Sequence, residues 1–304
     1  MLGKSFSAAA RASIALVLAL PLASSPARAQ EEDDAPEVRF AVNYVYAAQL
    51  GFGGYSIGGL NVHLYSIPLG FRIDDVLDDW DLRIDLPLQY GDYDISARVT
   101  DGKINGRSHT LATEPKLTLE IPVVPDVWRL SLLGAMGFGI TFASSATTTD
   151  AAGQRESLQV DENSFYTYQF GASSLLQHRV GAWTFGLGNS FIYAGNSSLE
   201  GDPSVEGYGV LSTGVEARHP LGFELWGIEP DAAGFFIYSF FTPDLRFTRV
   251  ERDDLEVQNL YEIGATIGSA SPLDIPLLSD ARIGAGYQFG ADLDAFRLSF
   301  GFPF

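Results

Sequence analysis

The chain has 304 residues, no cysteine, two methionines, 32 glycines, 21 phenylalanines and 13 tyrosines; this leans toward strand and leaves neither a disulfide framework nor a thiolate metal site. With 19 Lys and Arg against 38 Asp and Glu the net charge is −19, and no basic stripe with interleaved aromatics exists, which excludes a nucleic-acid binder. Sheets closed into barrels exceed 200 residues as one unit, so a single domain is expected.

At the start of the chain, Lys4 and Arg11 precede the apolar run Ala12 to Leu22, and Ala27-Arg28-Ala29 makes a small-x-small cleavage site. This predicts a cleavable signal peptide over residues 1–29 and one mature domain over 30–304. The run is too short to cross a bilayer as a helix. Loss of Lys4, Arg11 and Arg28 leaves 16 basic residues against 38 acidic, a mature charge of −22.

Beyond that segment the dominant pattern is alternation, which puts every second side chain on one sheet face. Twelve strands are predicted, within a range of ten to fourteen: 38–49, 55–73, 80–90, 110–121, 127–142, 165–176, 182–193, 207–217, 232–241, 257–268, 281–290 and 295–304. The cleanest row is Trp80, Leu82, Ile84, Leu86, Leu88 and Tyr90, with Asp81, Arg83, Asp85 and Gln89 opposite. Leu60-Val62-Leu64 changes parity to Ile67-Leu69-Phe71-Ile73, which predicts a bulge near Ser66 and Pro68 and places His63 inside. Long connections at 91–109, 143–164, 194–206 and 242–256 alternate with short ones at 122–126 and 177–181, as outer loops and periplasmic turns of a barrel do. Trp80, Trp128 and Trp183 open odd-numbered strands, whereas Tyr46, Tyr90 and Tyr193 end odd strands and Tyr166 and Tyr208 begin even ones; this predicts two aromatic rims. The fold class is therefore all-β, a closed antiparallel transmembrane β-barrel.

Opposite the apolar rows lie Arg39, Asp81, Arg83, Asp85, Lys116, Glu120, Arg129, Glu216, Arg218, Glu262, Arg282 and Arg297, a predicted lumen charge network pairing across the bore. Catalytic chemistry finds little support. Gly54-Tyr-Ser56-Ile-Gly58 matches a nucleophile elbow in letters, but Gly59 and a strand follow where a helix is required. The histidines, His63, His109, His178 and His219, have no metal-ligand spacing, and the cluster Asp74, Asp75, Asp78, Asp79 and Asp81 lacks the spacing of a calcium loop. No cofactor is expected.

The last strand puts Phe296, Leu298, Phe300, Phe302 and Phe304 on one face. It resembles the closing strand of outer-membrane barrels, which ends in an aromatic preceded by apolar residues at every second position. With Gly284 to Gly290 before it, the closing hairpin is similar to that of the solitary autotransporter-like barrels, which carry no passenger domain. The resemblance implies a bacterial outer-membrane protein, an assembly signal read by barrel-assembly machinery, and contact with outer-membrane lipid and lipopolysaccharide. About eight residues, Gln30 to Glu37, separate the cleavage site from the first strand, so no passenger is expected between them. The functional expectation is a membrane scaffold or narrow, largely plugged pore. The alternatives are a lipid-modifying outer-membrane enzyme using Ser56 or His63, or a surface recognition module working through acidic outer loops.

Overall fold

The computed structural model describes residues 53–57, 60–67, 69–77, 79–99, 102–150, 153–159, 163–199, 206–225, 227–247, 255–269, 282–290, 293–299 and 302–304. The predicted signal peptide, the predicted first strand, Arg39 and Phe300 lie outside them. The chain divides into two compact units, Met1–Phe40 and Ala41–Phe304, and every described residue belongs to the second.

The described segments are β1 (Gly53–Ile57), β2 (Leu60–Ile67), β3 (Gly70–Leu77), β4 (Trp80–Asp85), β5 (Leu88–Val99), β6 (Gly102–Thr113), β7 (Lys116–Val124) and β8 (Trp128–Asp150). They continue with β9 (Arg155–Gln159), β10 (Asn163–Val180), β11 (Trp183–Ser198), β12 (Glu206–Pro220), β13 (Pro230–Phe247), β14 (Leu255–Ser269), β15 (Arg282–Gly290) and β16 (Leu293–Ser299). All pair antiparallel. β10 to β16 follow one another around the wall, β16 pairs β1, and the ring returns through β2, β5, β6 and β8 to β10. The result is a closed barrel of 12 strands.

Three wall strands are each made of two segments, β2 with β3, β4 with β5, and β6 with β7. Their breaks fall side by side, because Ile67 pairs Leu88, Leu88 pairs Thr113 and Thr113 pairs Phe138. Pro87 and Pro115 sit in two of the breaks and have no amide hydrogen for the ladder. Neighbouring groups bridge the gaps: the Thr113 hydroxyl donates to the Pro87 carbonyl at 2.8 Å, and the Leu86 amide donates to the Leu69 carbonyl at 2.6 Å. Beyond the breaks the strands run further than the sequence pattern indicates. Within 91–109, expected as a long loop, residues 91–99 and 102–109 are strand, and β5 pairs β6 from Leu88–Thr113 to Val99–Gly102. Part of the expected loop 143–164 is likewise strand, since β8 runs to Asp150 and pairs β9. Polar strand tips lack the apolar row on which the boundaries were read.

The predicted change of parity does not accompany the break between β2 and β3. From His63 to Ile73 the odd-numbered residues share the outer face without a change of parity: Tyr65, Ile67, Leu69, Phe71 and Ile73 are exposed while Leu64 is buried in the lumen. The predicted bulge assumed that apolar residues always face out. This part of the lumen accepts an apolar side chain, so His63 stands outside rather than inside.

The outer surface carries Leu86, Leu117, Leu132, Phe170, Phe185, Leu211, Ile263 and Ile283, all well exposed, a face suited to hydrocarbon and costly in water. Aromatic rings edge it on the side of the longer strand tips, with Tyr65–Tyr90 at 6.0 Å, Phe170–Tyr193 at 5.3 Å and Tyr238–Tyr261 at 5.4 Å. Tyr208, expected in this belt, faces the lumen and is buried. At the opposite edge, Trp128 donates to Ser174 at 2.9 Å and Trp183 packs on His219 at 4.6 Å. The tight turns there hold Asp126 and Gly181 at positive φ, 61° each.

Candidate functional site

The lumen gathers the ionisable side chains of the alternating rows. In the first half of the barrel Glu120 is 6% exposed; it accepts from the Arg72 guanidinium and, at 3.3 Å, from Arg129. Arg72 also lies 3.7 Å from Asp81. Nearby, Asp85 pairs with Arg83 at 2.9 Å and with Lys116 at 3.4 Å.

In the second half Asp231, 1% exposed, meets Arg282 at 2.7 Å and Arg218 at 3.8 Å; Arg218 in turn pairs with Glu216 at 2.9 Å. Arg282 reaches Asp231 by lying over Gly268, where a Cβ would come within 2.6 Å of the arginine Cγ. Glu262 accepts from Arg297 at 2.7 Å and from Gln288 at 3.2 Å. Each of these pairs joins residues on one strand, adjacent strands or next-but-one strands. These pairs thus run along the wall, where cross-lumen pairing had been expected.

The network also has members that the sequence pattern did not single out. Arg72 alternates with Phe71 and Ile73, a parity signal that could have found it. Asp231 lies one residue before the predicted start of its strand. Glu114, buried at the β6–β7 break, accepts from Thr167 and Gln169 at 2.6 Å each. Of the expected closing row, Phe296 and Leu298 face outward at 66% and 38% exposure on β16, whereas residues 302–304 are not strand. Phe302 and Phe304 turn into the lumen, where their rings pack 4.8 Å apart, and Phe302 lies 6.5 Å from Phe235. Beside Phe304 remains a cavity of about 110 Å³, bounded by Ser190, Ser212, Ser239, Glu262 and Arg297 among others.

Outside, beyond the tyrosine belt, Arg107 donates to Asp92 at 2.8 Å and holds that carboxyl below its usual range. His109 Nδ1 lies 2.8 Å from the Tyr90 hydroxyl and 3.3 Å from Asp92. Both partners meet the same ring nitrogen, whereas a catalytic relay needs the nucleophile on one nitrogen and the acid on the other. His63 lines an outer-face groove of about 500 Å³ with Asn61, Asp94, Tyr287 and Phe296. Ser56 stands in register with Asn61, two pairs beyond the neighbours Gly54 and His63. Among the described residues no group of three or more His, Cys, Asp or Glu is placed to hold a metal ion.

An antiparallel barrel closed through its first and last described strands, apolar without and charged within, has the architecture of a membrane-spanning β-barrel. No family model matches the chain, and no curated protein matches it. Solved structures do. The β domain of the Bordetella autotransporter BrkA aligns with a TM-score of 0.52 at 13% identity, covering 82% of this chain and 96% of that domain. The translocator domain of the autotransporter NalP from Neisseria meningitidis aligns with a TM-score of 0.55 at 10% identity, covering 83% and 90%. The fold is that of the autotransporter translocator barrels.

Proposed function

We propose that the chain is an integral bacterial outer-membrane β-barrel, exported through its signal peptide, that acts as a scaffold or a narrow, largely plugged pore rather than as an enzyme. The observation that carries this reading is the filling of the lumen: paired side chains hug the wall, and Phe302 and Phe304 occupy part of the bore. Twelve strands also enclose far less room than the roughly 16 to 18 of a general porin. Outer-membrane lipid, lipopolysaccharide and the barrel-assembly machinery are its proposed partners. The test is conductance in planar bilayers: the expected result is little or none, and a large, stable wild-type conductance would overturn the plugged reading.

A second reading, a lipid-modifying enzyme, has one observation in its favour: His63 stands on the outer face near the level of the tyrosine belt. Hydrolysis of phospholipid or lipid A by the same purified sample, abolished by Ser56→Ala or His63→Ala, would replace the non-enzymatic reading.

A further inference from the structure

The wall of β11 and β12 has a gap on its inner face. Gly188 stands directly opposite Gly214 in the β11–β12 register, and Gly186 is one step along the same inner row. Around them every second residue points inward, so three missing side chains leave a shallow shelf. The Phe304 ring fills it. A Cβ built on Gly188 would overlap that ring, one built on Gly214 would come within 2.8 Å of its Cε2, and one on Gly186 would touch Phe302 at 3.8 Å.

We propose that this shelf is an aromatic-binding site inside the lumen, suited to short peptides with closely spaced aromatic residues. The chain fills it with its own Phe302-Pro303-Phe304 as a removable stopper. The inference rests on the plugged-pore reading and names what does the plugging.

Two features argue for a stopper rather than a piece of fixed wall. Continued at the strand period, β16 would carry Phe302 and Phe304 outward beside Phe296 and Leu298; instead residues 302–304 are not strand and both rings lie in the lumen. No strand pairing is described for residues 302–304, and their rings pack on each other, on Phe235 and on the glycine shelf. Beyond the rings the lining changes character. Ser190 pairs Ser212 and Ser212 pairs Ser239, a row of hydroxyls across three strands, facing the Glu262–Arg297 pair over the residual cavity. An apolar plug therefore sits on glycine next to a polar, water-compatible space, and withdrawing it opens a hydrated path.

The experiment uses the full chain in planar bilayers with wild type, Gly188→Val and Phe304→Ser. Gly188→Val fills the shelf while leaving residues 296–304 intact, so any role of that segment in assembly is untouched. Both variants are expected to raise conductance at least about threefold over wild type. Added Phe-Pro-Phe amide should block Phe304→Ser again but not Gly188→Val, and Ala-Pro-Ala amide should block neither. Because the chain has no cysteine, the double variant Phe304→Cys with Gly188→Cys, whose Cβ would lie beside that of residue 304, gives a separate reading of position, an intramolecular disulfide on mild oxidation. A closed wild type whose variants stay closed, or a cysteine pair that does not cross-link in the folded barrel, overturns the stopper and leaves the plugged-pore reading standing. An open wild type overturns both.

Discussion

Asp81 and Glu120 stand directly opposite each other across β4 and β7, and the Arg72 guanidinium from β3 reaches both. Two carboxylates paired across a ladder repel, so the arrangement holds because Arg72, with Arg129 on the far side, supplies the opposite charge. Removing Arg72 leaves the nearly buried Glu120 facing Asp81 with Arg129 as its cation.

Arg72→Ala should therefore destabilise the barrel by about 3 kcal/mol, the scale for stripping one partner from a buried pair. Arg83→Ala is the control, because Arg83 is 53% exposed and its pair with Asp85 is backed by Lys116. Exposed pairs contribute about 0–1 kcal/mol. Denaturant titration of both variants in lipid vesicles checks the contrast, and equal losses would show that Arg72 is as solvated as Arg83.

The outer face should be far less tolerant of charge than the inner one. Leu86 is 42% exposed on the outer face, while Gln89, three residues along, points inward. Leu86→Arg should cost about 2–4 kcal/mol at mid-membrane depth and Gln89→Arg less. Refolding into vesicles measures both; similar costs would place the hydrocarbon elsewhere.

Assembly should depend on the closing aromatic row. If the unfolded chain is recognised through Phe296 to Phe304 before the barrel forms, deleting Phe304 should slow insertion, although that ring ends inside the finished lumen. Pulse-chase measurement of folded barrel in the outer membrane provides the check. Assembly at the wild-type rate would separate the segment's seat in the lumen from any signalling role.

Much of this architecture was legible from period-two alternation alone, because each outward row is long and apolar. The rows through Leu82, Leu117, Phe185 and Ile263 all fall on the outer face. What alternation could not supply was position in the bore. It put Arg282 and Glu262 inside, but their partners depend on which strands lie two apart, and Asp231 was missed for want of one residue at a strand start. It also misplaced His63, since Leu64 is an inward leucine and a hydrophobicity pattern cannot tell an apolar lumen from lipid. The shelf was illegible for a related reason: Gly188 and Gly214 sit 26 positions apart, and only the register brings them face to face.

Arg282 brings the two kinds of lumen effect into competition. A long side chain cut back in a pore should open space, and on that ground Arg282→Ala should raise conductance. In the barrel, however, Arg282 is folded flat over Gly268, its side chain 9% exposed, with its guanidinium on Asp231. Little of it projects into the bore, so truncation should leave conductance within about twofold of wild type. Its effect should fall on stability instead. Asp231 would keep only Arg218, 3.8 Å away and already engaged by Glu216, and a buried carboxylate deprived of its main partner costs about 3–5 kcal/mol. Asp231→Asn in the same background should recover much of that loss, because a neutral amide no longer needs the missing cation. Measuring conductance and unfolding for the single and double variants separates the outcomes. A large rise in conductance without loss of stability would mean that Arg282 stands in the bore rather than on the wall.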